Sequence, residues 1–479
     1  MKTNTLHIII LTFFALTLTC CNKALDDNAV YADDNNSPIK SVHSSYIFLP
    51  VPIESNNSVV TVEEDYEFLS SEVKHYNLVI INSKGEKKLV PFVLDWDVSL
   101  VYDKDNIDED ILQNMDSYIE SGKTLVTISG NTRGMSLKTN SSDEIYIEIL
   151  GQHTETGEGN KKVCTIFYCG IIKFDKEGNL LLKKLEMTLD FTFSQDMPML
   201  SAPLDDGGYA LLYHRQEGES YEDDEYDETA HLPYDGVTLK YFDSKGQFGR
   251  QCSVDFFSKY PVYYALVPVG DSFFVVFNSK MVVVSQDGHL VKEIDSDLDF
   301  AHCFPYKGEL YYVAFHPSKE KYYVMKYDSN GNMTFQYVFQ HNNYTAMPLN
   351  ATTYHGNILL SGYNQSNFVW MIHPNSISTE SKHEGLLLTI DNNNEATENI
   401  LNSDNGLVLY AVIENPDGTC TLYYDKVGIT DRWQYQIYIY NIDNIEDIFK
   451  VVDSEQTDEE NADSNSDENS NTDTDENDY

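Results

Sequence analysis

The chain has 479 residues, 41% hydrophobic and 13% aromatic, enough for a sizeable core and too long for one small domain. Lys and Arg total 32 against 77 Asp and Glu, a net charge of −45. That surface repels phosphate backbones and excludes nucleic acid as a partner, and no apolar run beyond the first 20 residues approaches the length that spans a bilayer.

Met1-Lys2 start the chain with a positive charge, and Ile8 to Leu18 form an apolar segment of signal-peptide length. It runs into Leu18-Thr19-Cys20-Cys21. These residues resemble a bacterial lipoprotein signal, in which a cysteine after a small residue is acylated and becomes the new N-terminus. Leu18 at −3 favours Cys21, and Cys20, with Thr19 at −1, is the alternative. An ordinary secretory signal with incidental cysteines is the competing reading. The resemblance implies a signal peptide and lipobox over residues 1–21 and a membrane partner reached through the lipid.

Residues 22–44 then read as a flexible acidic tether, with Lys23 followed by Asp26-Asp27 and Asp33-Asp34. A lysine and then acids after the lipid cysteine is similar to the surface-export signal of Bacteroidetes lipoproteins. The implied location is the outer membrane, lipid-anchored and exposed at the cell surface.

From residue 45 to 453 apolar and aromatic runs alternate with short polar turns. One stretch has helical spacing: Ile107, Ile111, Met115 and Ile119 predict a helical insertion near 106–121. The rest reads as strands carrying an internal repeat. An apolar run ends in Asp, and Gly follows three residues later: Asp175 and Gly178, Asp243 and Gly246, Asp328 and Gly331. Weaker copies occur at Asn82 and Gly85, Ser285 and Gly288, and Asp391 and Asn394. Asp bonds back to the backbone and Gly accepts the positive φ of a tight hairpin. Gly246, Gly288 and Gly331 stand 42 and 43 residues apart.

A second element precedes each turn: a glycine opening an apolar strand, at Gly208, Gly270, Gly308, Gly356 and Gly406, with Gly122 fitting too. One unit is therefore four strands in roughly 40–50 residues, the size of a β-propeller blade. GGYALLYH followed by LKYFDSKGQF resembles a widespread bacterial propeller repeat of the DGGY…KLDxxGN kind, clearest over about residues 200–340. The expectation is an all-β propeller of about seven four-stranded blades, with six or eight open and a β-sandwich as the competing fold.

Glu217–Glu228 is an acidic insertion that reads as a solvated loop. Residues 454–479 hold acids, Asn, Ser and Thr with no Lys or Arg, and read as a disordered tail. Beyond the lipobox, Cys164, Cys169, Cys252, Cys303 and Cys420 show no C-x-x-C and no zinc spacing. SYIESGKT lacks the first glycine of a phosphate loop, and His383-Glu384 has Leu387 where a zincin needs its second His. No metal or cofactor is expected, and no catalytic residue is identified.

The 34 tyrosines include pairs such as Tyr263-Tyr264, Tyr311-Tyr312 and Tyr322-Tyr323, which put one ring on each strand face. They read as packing between blades, or as sugar platforms at the propeller mouth. Three functions compete: a monomeric binding module for a glycan or protein ligand, a glycan-active hydrolase on the same scaffold, and an envelope-assembly lipoprotein.

Overall fold

The computed structural model describes residues 40–443 except 45–46, 66–73, 95, 97–131, 157–161, 191–196, 217–234, 256–262, 278–279, 317, 320, 340–345, 355–356, 366–382, 402–405 and 428–434. The lipobox cysteines, the helix expected near 106–121, the acidic insertion and the acidic tail lie outside these residues.

The described regular structure is β apart from one 3-10 turn at Glu54–Asn56. The first strand is β1 (Lys40–Ser44), and the rest follow in groups of four. Blade 1 is β2 (Val51–Ile53), β3 (Ser58–Glu64), β4 (His75–Asn82) and β5 (Lys87–Val93). Blade 2 is β6 (Thr132–Thr139), β7 (Ile145–Thr156), β8 (Lys162–Phe174) and β9 (Leu180–Asp190). Blade 3 is β10 (Met197–Pro203), β11 (Tyr209–Gln216), β12 (Asp235–Phe242) and β13 (Phe248–Asp255). Blade 4 is β14 (Tyr263–Val269), β15 (Ser272–Phe277), β16 (Lys280–Ser285) and β17 (Leu290–Asp295). Blade 5 is β18 (Asp299–Tyr306), β19 (Glu309–His316), β20 (Lys321–Asp328) and β21 (Met333–Val338). Blade 6 is β22 (Ala346–Tyr354), β23 (Asn357–Gln365), β24 (His383–Ile390) and β25 (Ala396–Leu401). Blade 7 takes β26 (Gly406–Glu414), β27 (Cys420–Val427) and β28 (Tyr435–Ile442) from the end of the chain and β1 from its beginning.

Each blade is one four-stranded antiparallel sheet. First strands abut one another around the ring, as in β2 with β6, β14 with β18, and β26 with β2. Fourth strands face outward: β13 and β17 are mostly exposed, whereas β15 is buried at every position. The chain is therefore a seven-bladed β-propeller.

Side-chain alternation explains the packing. In β15, Phe273, Val275 and Phe277 pack with blade 3, while Phe274 and Val276 pack with blade 5. A middle strand buried on both faces reads as an unbroken apolar run, which is why Phe273 to Phe277 (FFVVF) follow Ser272 without a polar position. Among the described residues an apolar cluster of this kind sits at each of the seven blade-to-blade contacts.

The Asp-x-x-Gly segments are the turns between third and fourth strands. Asp243 Oδ1 accepts the Lys245 and Gln247 amides at 2.9 and 2.8 Å, and the Gly246 amide donates to the Asp243 carbonyl at 2.9 Å. Asp175 and Asp328 do the same for their own turns. The glycine has a second reason to be there. Gly331, at φ +76°, lies so close to blade 4 that a Cβ would come within 2.8 Å of Val283 Cγ2.

Three of these acids carry a pH signature. At Asp391 the Glu395 amide leads in holding the carboxyl below its ordinary value. At Asp175 and Asp328 burial pulls upward, but the amides and carboxamides of Asn179 and Asn332 outweigh it, and both carboxyls are lowered. A carboxyl depressed in the fold adds stability that is complete above its unfolded value of about 3.9 and is lost as pH falls through the folded value. Replacing all three with Asn, which blade 1 already uses at Asn82, is expected to flatten the fall of the urea midpoint below about pH 4. An acid limb as steep as that of the parent would refute this assignment.

First-to-second-strand turns follow a looser rule. Gly207, Gly270 and Gly418 take positive φ there, but blade 1 uses Asn57 and blade 2 uses Asp143. Gly406 corrects the sequence expectation: it opens β26, the innermost strand of blade 7, and the turn into the second strand is made by Gly418.

Both kinds of turn stand at one end of the ring, the turn end. Second-to-third-strand and blade-to-blade connections join strand ends at the opposite, loop end. Residues 40–44, expected in the tether, instead form β1, paired with β28 from Lys40 against Ile439 to Ser44 against Tyr435. The chain thus enters the ring at the turn end and, after Ile442, leaves it there. A second seal joins blade 1 to blade 7: the Tyr423 hydroxyl donates to the Asn57 carbonyl at 2.8 Å, and Asn57 Nδ2 donates to Thr421 Oγ1 at 2.9 Å.

Candidate binding site at the loop end

The turn residues singled out from sequence hold hairpins together. What lies beside them was not foreseen. Blades 2 and 5 share a pattern, Glu-x-Tyr opening the second strand and Lys-x-Asp closing the third. In blade 2, Lys173 is buried, pairs with Glu144 at 3.2 Å and reaches into blade 3, donating to the carbonyls of Gly207 and Ser244 at 2.9 and 3.3 Å. The Tyr146 hydroxyl donates to the same Gly207 carbonyl at 2.9 Å. In blade 5, Lys326 pairs with Glu309 at 2.7 Å and donates to Asn394 Oδ1 of blade 6 at 2.8 Å. These lysines lock one blade to the next. The repeated Lys-x-Asp before the turn was the available signal.

The chemistry suited to a ligand gathers at the loop end of blades 4 and 5. Tyr263 and Tyr264 open β14, and Asp299 and Phe300 open β18. Tyr264 is 41% exposed and stacks on Phe300 across the blade boundary, with ring centroids 5.1 Å apart and planes 7° from parallel. Phe300 leans on buried Tyr312 at 6.0 Å, which fixes the pair from below. Burial and the nearby Asp299 carboxylate push the Tyr264 phenol up, so it stays a neutral donor at physiological pH. Tyr263 bonds His214 Nδ1 at 2.9 Å, and His316 Nε2 lies 3.5 Å from Asp297. His316 Nδ1 is buried with no hydrogen-bond partner among the described residues.

A half-exposed ring pair beside solvent-facing carboxylates offers an apolar platform with acceptors at its edge. It suits the face of a sugar or an aromatic or basic side chain of a peptide. Of the tyrosine pairs, Tyr311 packs toward blade 6 and Tyr312 toward blade 4, so packing is their role. Tyr264 is the member that reaches solvent, and Phe300 carried no sequence signal because its partner lies on another blade.

Cys169 and Cys420 are buried free thiols, and Cys252 and Cys303 are partly buried and free. Burial pushes the Cys303 thiol up to about 12, which keeps it protonated and inert. No group of three His, Cys, Asp or Glu side chains that could hold a metal occurs among the described residues.

No family model matches the chain, and no curated protein matches it. Among solved structures it is similar to a protein of unknown function from Bacteroides caccae, with a TM-score of 0.30 and 9% identity over 57% of this chain and 92% of that one. It is also similar to the Pan2 WD40 domain of Neurospora crassa, with a TM-score of 0.32 and 12% identity over 66% and 90% of the two chains. Cobalt-substituted apocarotenoid oxygenase from Synechocystis gives a TM-score of 0.33 and 9% identity over 64% of each. Likenesses this remote carry no functional argument, and the assignment of the chain to the β-propeller fold rests on its own seven closed sheets.

Proposed function

We propose that the protein is a lipid-anchored binding module of the outer membrane, exposed at the cell surface, that presents its loop end to a glycan or protein ligand. The polarity of the ring is the observation that carries this reading. The first described strand, β1, enters the ring at the turn end, so a lipid on Cys21 or Cys20 would be joined to the ring through that end. The Tyr264–Phe300 pair, the half-exposed platform, stands at the loop end.

Three measurements test the proposal. Cells fed an alkyne fatty acid should label the parent chain and Cys20→Ala but not Cys21→Ala. In intact cells the protein should be cut by added protease. The purified full chain, applied to immobilised polysaccharides and extracellular-matrix proteins, should bind one of them, and Tyr264→Ala should weaken that binding at least tenfold. Absence of lipid on both cysteines, or protection from protease in intact cells, would overturn the anchored surface module. Equal binding by Tyr264→Ala would overturn the loop-end site.

A further inference from the structure

A concavity lies on the outer wall at the turn end, between β9 of blade 2 and β12 and β13 of blade 3. Its volume is about 500 Å³, within the range of ligand-binding clefts, about 300–1,000 Å³. Three lysines line it, Lys184, Lys240 and Lys245, with Gln247 and Gln251. Its one lining acid, Glu186, sits 3.6 Å from Lys184. In a chain with 77 acids and 32 bases, a hollow with three cations around a single acid runs against the composition.

The wall is also built. Asp243 fixes the backbone of Lys245 and Gln247, as described above. Gly246 forms the floor, packed so tightly on Leu182 and Lys184 that a Cβ would lie 3.2 Å from Leu182 Cδ1. Lys240 Nζ is steadied 3.9 Å from the Tyr213 ring centroid. Behind the wall the Tyr209 hydroxyl is buried with no partner, near enough to Glu186 to feel its charge.

Phe248 distinguishes this hollow from its counterparts. Five residues after the first turn residue stand Leu180 in blade 2, after Asp175, Leu290 in blade 4, after Ser285, and Met333 in blade 5, after Asp328. In blade 3 that position holds an aromatic ring, 56% exposed, held edge-on by Phe242 at 6.0 Å. An exposed ring beside carboxamides matches the apolar face and hydroxyls of a sugar, and the ammonium groups match an acidic substituent on it.

We infer that this groove binds a short acidic saccharide, one carrying carboxylate or sulfate groups. The ring takes the sugar face, Gln247 and Gln251 take hydroxyls, and the lysines take the anion. A short ligand is favoured because a long polyanion would meet the repulsion of the surrounding net charge of −45.

The test is calorimetric titration of the full chain in detergent with trigalacturonate, a sulfated chondroitin tetrasaccharide, and the methyl ester of trigalacturonate as the neutral control. The expected result is binding of at least one acidic probe, weakened at least tenfold in Lys245→Gln and in Phe248→Ser, both exposed positions whose melting should stay at the parent value. Raising NaCl from 50 to 300 mM should weaken it further, and which acidic probe binds separates carboxylate from sulfate. Tight binding of the neutral ester, parent-like binding by both variants, or preferential capture of a synthetic peptide of residues 455–479 would overturn the inference. Tyr264→Ala should leave this binding unchanged, so the loop-end site and the groove fail separately.

Discussion

Deleting residues 1–44 is expected to lower the melting temperature by about 10 °C, whereas a deletion ending at residue 39 should shift it by no more than about 2 °C. The difference is one strand. β1 forms five residue pairs with β28, and Val42 packs on the cluster that joins blades 7 and 1. Each ladder hydrogen bond contributes about 1 kcal/mol net, and burial of a valine about 1.5–3 kcal/mol. The sum is about 5 kcal/mol, and a domain this large loses about 2 °C per kcal/mol. Without β1 the β28 edge is also left open to pairing with other chains, so the longer deletion should aggregate on heating. Scanning calorimetry of the two deletions decides it. Val42→Asp should lose about half as much, since it keeps the ladder and removes the packing. Identical melting of the two deletions would mean that β1 does not seal the ring.

Lys173→Met should cost about 3 kcal/mol, read as a fall in the urea midpoint. The methionine fills the same space, so the loss is electrostatic. It takes the countercharge from the Glu144 carboxylate, which keeps the Asn140 carboxamide and the Tyr146 hydroxyl, and removes a donor from two acceptors of blade 3, the carbonyls of Gly207 and Ser244. Gly207 keeps the Tyr146 hydroxyl, so Ser244 is the more exposed to the loss. Adding Glu144→Gln should restore part of the stability, because it removes the stranded charge, and a coupling of about 1 kcal/mol or more is expected in the double-mutant cycle. Purely additive losses would show that the two side chains act separately.

The fold was legible where local chemistry dictates it. Asp243 and Gly246 close a hairpin through contacts within five residues, so their spacing marks the blade wherever it recurs. The blade number followed from that spacing once the sheets were in place. β1 was not legible. KSVHS has no apolar run, and it is a strand only because β28, nearly 400 residues later, offers an unpaired edge. Gly406 misled because a glycine before an apolar run opens a first strand here, where elsewhere it opens a second. Asn57 and Asp143 hid two turns because a short polar side chain tolerates the same left-handed backbone as glycine. The Tyr264–Phe300 platform and the lysine groove each combine residues from neighbouring blades, and no local pattern announces such pairs.

The joining of Lys40 to Ile439 also sets an order of events in time. A ribosome delivers the first partner hundreds of residues before the second, and any export machinery passes them across in the same sequence. Six blades can assemble as they emerge, but the circle cannot shut until its final strand arrives. Until then the early strand waits without a mate, and truncated or stalled products lack the seal altogether. Completeness of synthesis is thereby checked by geometry: only a chain that has been made to its last blade can bury its first strand.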